Sequence, residues 1–171
     1  VRLPAGFDYS RTELTLRQDS DAWAAQGVRG MDGQPLPVMR DASILTPAGA
    51  RGPAVMVGNN FRVLLLYNSS TSYALAVALL AQQIDGGPGL LALWPRQIKP
   101  LARTEIEAMQ LALNQLGLDA GEIDGVFGPA TRAGLRRYQQ RLGQTADGYP
   151  TQELLQRLMQ QTDKNTSTSK P

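Results

Sequence analysis

Cysteine and histidine are both absent from this sequence. Without a thiol no disulfide can form, and cysteine usage carries no information about compartment. Without thiolate or imidazole a zinc site loses its main ligand types, so no metal and no cofactor is expected. A Ser-His-Asp or Cys-His nucleophile system is excluded within the chain. Long apolar runs are missing too. The longest, Tyr73 to Ala81, is nine residues, about half of the ~18 or more that read as a membrane span. An excess of either charge is also lacking. Seventeen basic residues against fifteen acidic ones leave a net charge of +2, too little to argue for nucleic acid. The nearest approach to a basic cluster is Arg132, Arg136, Arg137 and Arg141. The chain starts at Val1 with no initiator methionine, which suggests a fragment or processed product whose targeting segment lay upstream.

A length of 171 residues suits one ordinary domain or two small ones. The Gly/Pro-rich stretch Asp85 to Pro100 interrupts the helical pattern and reads as a linker. Two units are therefore expected, 1–84 and 101–160, with the polar stretch from about 161 to 171 as a disordered tail.

In the first unit, Val1 to Tyr9 is an extended lead-in punctuated by Pro4 and Gly6. Ser20-Asp21-x-Trp23 starts a short helical turn, capped by Asp19 or Ser20 and stopped by Gly27, with Trp23 facing inward. Val28-Arg29 and Leu36-Pro37 flank Met31-Asp32-Gly33-Gln34, an Asp-Gly hairpin signal. Ala42 to Leu45 and Ala54 to Val57 form a second pair of short strands, and the nearby prolines restrict all four to edges or strand ends. The carboxylates here, Asp8, Glu13, Asp19, Asp21, Asp32 and Asp41, read as solvated or capping groups. This β-rich part covers about 1–58, and helices follow over about 60–84.

Those helices hold the most informative stretch. Phe61 to Leu66 is mostly apolar and too short for periodicity to choose between helix and strand, but Asn60 as an N-cap favours a helix. Tyr73, Val77, Leu80 and Ile84 recur at spacings of 4, 3 and 4, which predicts one buried helical stripe. Asn68 to Thr71 can satisfy the first-turn N–H groups, so this helix should start at Ser69 to Thr71. Between the two apolar pieces lies Tyr67-Asn68-Ser69-Ser70-Thr71-Ser72-Tyr73. A phenol at each end and an amide between them can stack on a sugar and donate to its hydroxyls; the same residues also suit a plain helix cap.

The pattern Asn60-Phe61, then Tyr67-Asn68-x-Ser70-x-x-Tyr73-Ala74-x-Ala76-Val77, resembles the closing segment of the catalytic core in lytic murein transglycosylases of the membrane-bound B type. Leu3-Pro4-Ala5-Gly6-Phe7-Asp8-Tyr9, Trp23, Gly27-Val28, Asp32-Gly33, Pro47-x-Gly49 and Gly52-Pro53 look like the small β subdomain preceding it. The resemblance spans residues 1 to about 84. It implies an α+β, lysozyme-like core. It also implies cleavage of the MurNAc-GlcNAc bond without water, one glutamic acid first protonating the glycosidic oxygen and then taking the C6 hydroxyl proton. The family's catalytic glutamate belongs to a Glu-Ser motif upstream of the β subdomain. The glutamates here, Glu13, Glu105, Glu107, Glu122 and Glu153, are not followed by serine. No catalytic residue is therefore expected in this chain, and the acid must come from an upstream core segment, on the same or a separate polypeptide. By motif position Tyr67, Asn68 and Tyr73 become the substrate-binding candidates.

The second unit reads as three helices. Thr104-x-x-Glu107 forms a capping box, with Ile106, Met109, Leu113 and Leu116 behind it and Gly117 as the stop. Pro129 opens helix two, which carries Leu135, Tyr138 and Leu142 and ends at Gly143. Helix three starts near Thr151, buries Leu154, Leu155, Leu158 and Met159, and fades after Gln161. Asp124-Gly125 and Asp147-Gly148 form a faint repeat: each makes an Asx turn with a positive-φ glycine, followed by an aromatic and a helix. Alternate-position ligands for calcium are lacking after Asp119, and a paired-carboxylate site is not favoured. The set Gln110-x-x-Leu113-x-x-x-Gly117, Asp124-Gly125-x-Phe127-Gly128-x-x-Thr131, Tyr138-Gln139 and Asp147-Gly148 is similar to the three-helix peptidoglycan-binding module of bacterial wall enzymes. The partners this implies are glycan strands and stem peptides, with Arg132 and Gln139 as candidate contacts. The location it implies is the periplasm or cell envelope of a Gram-negative bacterium. The alternative is a wall-targeting module without catalysis; an amidase or carboxypeptidase conflicts with the missing histidine and cysteine.

Overall fold

The computed structural model describes residues 1–168, with side chains described through Lys164. The chain divides into two compact units, Val1–Pro95 and Arg96–Pro171, and its class is α+β: a two-stranded sheet with helices α1 to α6.

The first unit is organised by the ribbon of β1 (Ser43–Leu45) and β2 (Val55–Val57). They pair antiparallel with Ser43 opposite Val57, Ile44 opposite Met56 and Leu45 opposite Val55. Successive side chains of a strand point to opposite faces, so the ribbon serves two cores. Ile44 and Met56 join a cluster around Trp23, Val28 and Ala42. Leu45, Val55 and Val57 join Phe61, Ala74 and Leu75 of the helices on the other side. Trp23, on α1 (Ser20–Ala25), is fully buried and donates its indole N–H to the Ala42 carbonyl at 3.0 Å. Gly27 ends that turn at φ +89.

The expected hairpin at Met31 to Gln34 is a turn rather than a pair of strands. Gly30 N–H donates to Gln34 O and Asp32 caps Gln34 N–H, but only an isolated bridge between Arg2 and Arg29 uses the neighbouring backbone. Pro35 and Pro37 supply no ladder donors on the returning arm.

Helix α2 (Asn59–Tyr67) and helix α3 (Thr71–Ile84) follow. Asn60 is not a cap. Gly58 is the N-cap, because its extended backbone (ψ −157) breaks the helix there, and Asn60 lies inside the first turn. The stripe predicted to be buried on α3 also differs. Ala74 and Leu75, with Ala78 and Leu79, face the core, whereas Tyr73, Leu80 and Ile84 are 39%, 58% and 80% exposed. An alanine- and leucine-rich helix is apolar on nearly every face, so periodicity alone could not choose the inward one. Residues after Ile84 fold back: Leu90, Leu91 and Ala92 line an apolar groove of about 360 Å³ with Met39, Met56 and Leu79.

The second unit packs α4 (Arg103–Gln115), α5 (Pro129–Arg141) and α6 (Gln152–Thr168) around Met109, Leu113, Leu118, Leu135, Tyr138, Leu155 and Leu158. Ala102, not Thr104, is the N-cap of α4, and Glu105 supplies the box, its carboxylate accepting from Ala102 N–H at 2.6 Å. Glu105 also accepts from the Gln152 amide at 2.6 Å, which ties α4 to α6 and explains why the helix starts one residue before Thr104. Met159 is 48% exposed, and α6 does not fade at Gln161. Residues 162–168 continue the helix, and the Thr162 hydroxyl donates back to the Leu158 and Met159 carbonyls. The rest of the expected tail, 169–171, lies outside the described residues.

Side-chain amides pin the loops of this unit. The Gln110 amide is buried, donates to the Asp124 carboxylate at 2.9 Å and accepts from the Asp124 and Gly125 N–H groups at 3.2 and 3.0 Å. Gln139, equally buried, donates to the Asp147 carboxylate and accepts from Gly148 N–H, each at 2.7 Å. Both Asx turns of the repeat are present, with Val126 and Tyr149 N–H bonded to Asp124 and Asp147. Gly148 has φ +66, and a Cβ there would come within 2.7 Å of Arg132 Cγ. Arg137 and Arg141 donate to carbonyls of Leu116, Leu118 and Asp119 just beyond α4, as cations near a helix C-terminus should.

Two outcomes are expected. Gln110→Leu removes the acceptor of the Asp124 and Gly125 N–H groups and should lower the denaturation midpoint of this unit and the exchange protection of Gly125. The Glu105 and Asp124 carboxyls are held below the usual carboxylate range, first by the Gln152 and Gln110 amides and then by backbone N–H groups. Their contribution is full above the unfolded carboxylate pKa of about 4 and is lost as pH falls through the folded value. A Glu105→Gln, Asp124→Asn variant should flatten the acid limb of stability measured by denaturant titration at stepped pH.

Candidate functional site

The chain reverses between α2 and α3 within three residues, and side chains rather than ladder bonds hold the reversal. Asn68, the C-cap of α2, leaves the helix in an extended conformation with its N–H still on Leu64 O. Its side-chain oxygen accepts from Ser70 N–H at 2.9 Å, an Asx turn. Ser70 is the N-cap of α3, its hydroxyl accepting from Tyr73 N–H at 3.2 Å, within the predicted Ser69 to Thr71 start.

With the polar groups turned inward on the backbone, the two phenols stand outside. Tyr67 is 83% exposed. The Tyr67 and Tyr73 ring centroids are 6.3 Å apart at an interplanar angle of 31°. Among the described residues neither phenol oxygen has a hydrogen-bond partner. The oxygen of Asn68 is spent on the turn, while its amide N–H groups have no partner among the described residues. The corner therefore presents N–H and O–H donors beside two aromatic faces, a surface suited to a ligand with apolar faces and carbonyl or hydroxyl oxygens. The tyrosines continue into exposed Val63 and Leu66 on α2 and Leu80 and Ile84 on α3.

Sequence reasoning missed Arg62, one turn before the corner. Its guanidinium donates to Ser43 Oγ at 2.7 Å and to Asn59 Oδ1 at 3.4 Å, joining α2 to β1. Burial, and then the nearby Arg17 charge, lower its pKa. A lone arginine inside an apolar run is the signal that could have flagged it. Glu13 is the one glutamate of this unit, and among the described residues no group of three acidic, histidine or cysteine side chains could hold a metal.

In the second unit Arg132 and Gln139 are not equivalent. Arg132 is half-buried, its guanidinium 5.3 Å from the Phe127 ring centroid. Gln139 is buried, with donor and acceptor both committed to the Asp147-Gly148 turn, so its geometry is that of a clamp.

Residues 1–82 match the family described as Transglycosylase SLT domain, and residues 102–158 match a peptidoglycan binding domain. The corner, at Tyr67 to Tyr73, falls inside the SLT match. Two crystal structures of SltB3 from Pseudomonas aeruginosa are similar to this chain. One is in complex with NAG-anhNAM-pentapeptide (48% identity, TM-score 0.87) and the other with NAG-NAM-pentapeptide (49%, 0.88). Each alignment covers 92% of this chain and 43% of SltB3, so the chain spans less than half of that protein's length. No curated protein matches it in sequence. No described helix is long and apolar enough to cross a membrane.

Ser70→Ala removes the α3 cap and should cost about 1 kcal/mol. The loss should appear as faster amide exchange at Tyr73 and a lower denaturation midpoint of the first unit.

Proposed function

We propose that this chain is the C-terminal portion of a lytic transglycosylase, which cleaves the MurNAc-GlcNAc bond of peptidoglycan to leave 1,6-anhydromuramoyl ends. Tyr67, Asn68 and Tyr73 form one wall of its saccharide groove. The observation that carries this reading is the pair of exposed phenols around an amide with free N–H donors, inside the SLT match. Stacking places an apolar sugar face on the rings, and the Asn68 amide donates to an acceptor such as an acetamido carbonyl. The catalytic glutamic acid is supplied by a core segment outside this chain. The exposed apolar side chains Val63, Leu66, Leu80 and Ile84 are the surface such a segment would cover. The second unit retains the enzyme on the wall, with Arg132 at most a peripheral contact. Peptidoglycan lies in the cell envelope, and the likeness to SltB3 from Pseudomonas aeruginosa supports a Gram-negative periplasm.

With the core segment present, anhydromuropeptides should be released from purified sacculi; reducing-end products would defeat the assignment. Tyr67→Phe and Tyr73→Phe should lower turnover more than stability, whereas Asn68→Ala also removes the acceptor that closes the turn and should lower both. Asn68→Asp is the sharper variant, because it keeps the acceptor that holds the turn while losing the donor: the melting temperature should hold and turnover should fall about tenfold, the effect of one lost charge-free hydrogen bond plus an orphaned acceptor. A second reading is favoured by Glu13 being the one glutamate of the first unit: a wall-targeting module without catalysis. Sacculus binding with no muropeptide release, even with the core supplied, would select it.

A further inference from the structure

We infer that Met31, Met39 and Met56 form an oxidation site beneath a strap of residues 88–94, and that conversion of their thioethers to sulfoxides frees the strap from the first unit. The site is independent of the saccharide assignment of the tyrosine corner.

Backbone geometry delivers the strap to its seat. Helix α3 ends at Ile84, and Gly86 and Gly89 take φ of +80 and +68. The Gly87 N–H donates to the Gln82 carbonyl at 2.8 Å, and a Cβ at Gly87 would come within 2.6 Å of Gln82 Cγ. The three glycines turn the chain back against the last turn of the helix, and Leu90, Leu91 and Ala92 reach the groove of about 360 Å³. Only apolar contact holds them there. Among the described residues no hydrogen bond or ion pair joins 88–94 to the rest of the unit, and Leu91, Leu93 and Trp94 are 57%, 91% and 45% exposed. A segment held by contact area alone lies at the low end of local stability, so the polarity of its seat decides whether it stays.

That seat is rich in sulfur. The chain has five methionines, and Met31, Met39 and Met56 line this one groove, all half-buried. Met39 is fixed at both backbone groups, its N–H donating to Ser20 Oγ at 3.0 Å and its carbonyl accepting from Ser20 N–H at 2.8 Å. Its Sδ packs against Gly58, the N-cap of α2, where a Cβ would lie 3.0 Å away. That side of the sulfur is closed, and an added oxygen faces away from α2.

Without cysteine, the thioethers are the sulfur targets for two-electron oxidants of the peroxide class. A sulfur lone pair attacks one peroxide oxygen, the O–O bond breaks, and the departing hydroxide takes the remaining proton to leave water. Sulfur is oxidised by two electrons and the peroxide reduced by two. The flexible apolar side chain becomes a polar, chiral one, and the surface that Leu90, Leu91 and Ala92 cover is no longer worth covering. Once released, the strap joins the open chain between α3 and α4.

The test treats the full chain with hydrogen peroxide and maps sulfoxide at each methionine by peptide mass spectrometry. Met159, 48% exposed, should oxidise first, the three groove methionines next and the fully buried Met109 last. The strap is followed by fluorine resonances of fluorotryptophan, with buried Trp23 as reference for Trp94, and by chymotrypsin cleavage after Leu90, Leu91 and Leu93. As the groove methionines oxidise, the Trp94 signal should move towards its unfolded position while Trp23 holds. Cleavage should quicken about fourfold, the change in open population that one lost methylene of burial gives. Methionine sulfoxide reductase should restore both readouts. Met31→Leu, Met39→Leu and Met56→Leu together keep the seat apolar, and this triple variant should hold its strap in peroxide, whereas Met159→Leu should respond like the unaltered chain. Groove methionines as resistant as Met109 would overturn the site. Groove sulfoxides with Trp94 and cleavage unchanged would overturn the coupling to the strap, as would equal release in the triple variant. Should that variant fail to fold, the reductase arm on the unaltered chain decides: release that persists after the sulfoxides are reduced overturns the inference.

Discussion

The turn between α2 and α3 depends on two short hydrogen-bond closures, Ser70 N–H to Asn68 Oδ1 and Tyr73 N–H to Ser70 Oγ. Helix ends leave backbone groups without intrahelical partners, and a reversal this tight exposes both ends at once. Because Asn68 and Ser70 satisfy them from within the loop, no larger side chain has to cover the corner, and both tyrosines are left outward. The same closure fixes the chemistry on offer. An asparagine whose oxygen already accepts from the turn offers chiefly its amide N–H groups, so the surface favours ligands that carry acceptors.

The second unit solves the same problem with longer side chains. Gln110, Asn114 and Gln139 each place an amide against loop backbone, and Gln110 also donates to Thr131 Oγ1. A buried amide with all its partners made is rigid, while one partner lost leaves a desolvated group behind. That asymmetry ties Asp-Gly turns to helices far along the chain and gives three short helices a defined packing without disulfide or metal. It also separates residues that hold the fold from residues free to meet a ligand. Gln139 belongs with the former, its amide committed to the Asp147-Gly148 turn.

Much of the fold was legible because it is encoded locally. Gly117 and Gly143 stop α4 and α5 at φ +68 and +65, Pro129 opens α5, and both Asx turns form where Asp-Gly predicts them. Trp23 is buried on a helix whose limits Asp19 and Gly27 mark. The errors share a cause. The buried face of α3 and the start of α4 are decided by what packs alongside: the β1–β2 ribbon selects Ala74 and Leu75 over Tyr73 and Leu80, and Gln152 recruits Glu105 in place of Glu107.

The sequence by itself determined the turns, the cap supplied by Ser70, the opening of α5 at Pro129 and the residue types at the corner, since each follows from a residue's own φ preference or from a hydrogen bond to a near neighbour. Tertiary structure alone decided which face of an almost uniformly apolar helix is open to solvent and that the Gln139 amide is consumed by the Asp147-Gly148 turn. Those outcomes depend on side chains distant in sequence competing for the same buried surface and the same hydrogen-bonding groups, and no local pattern records who wins.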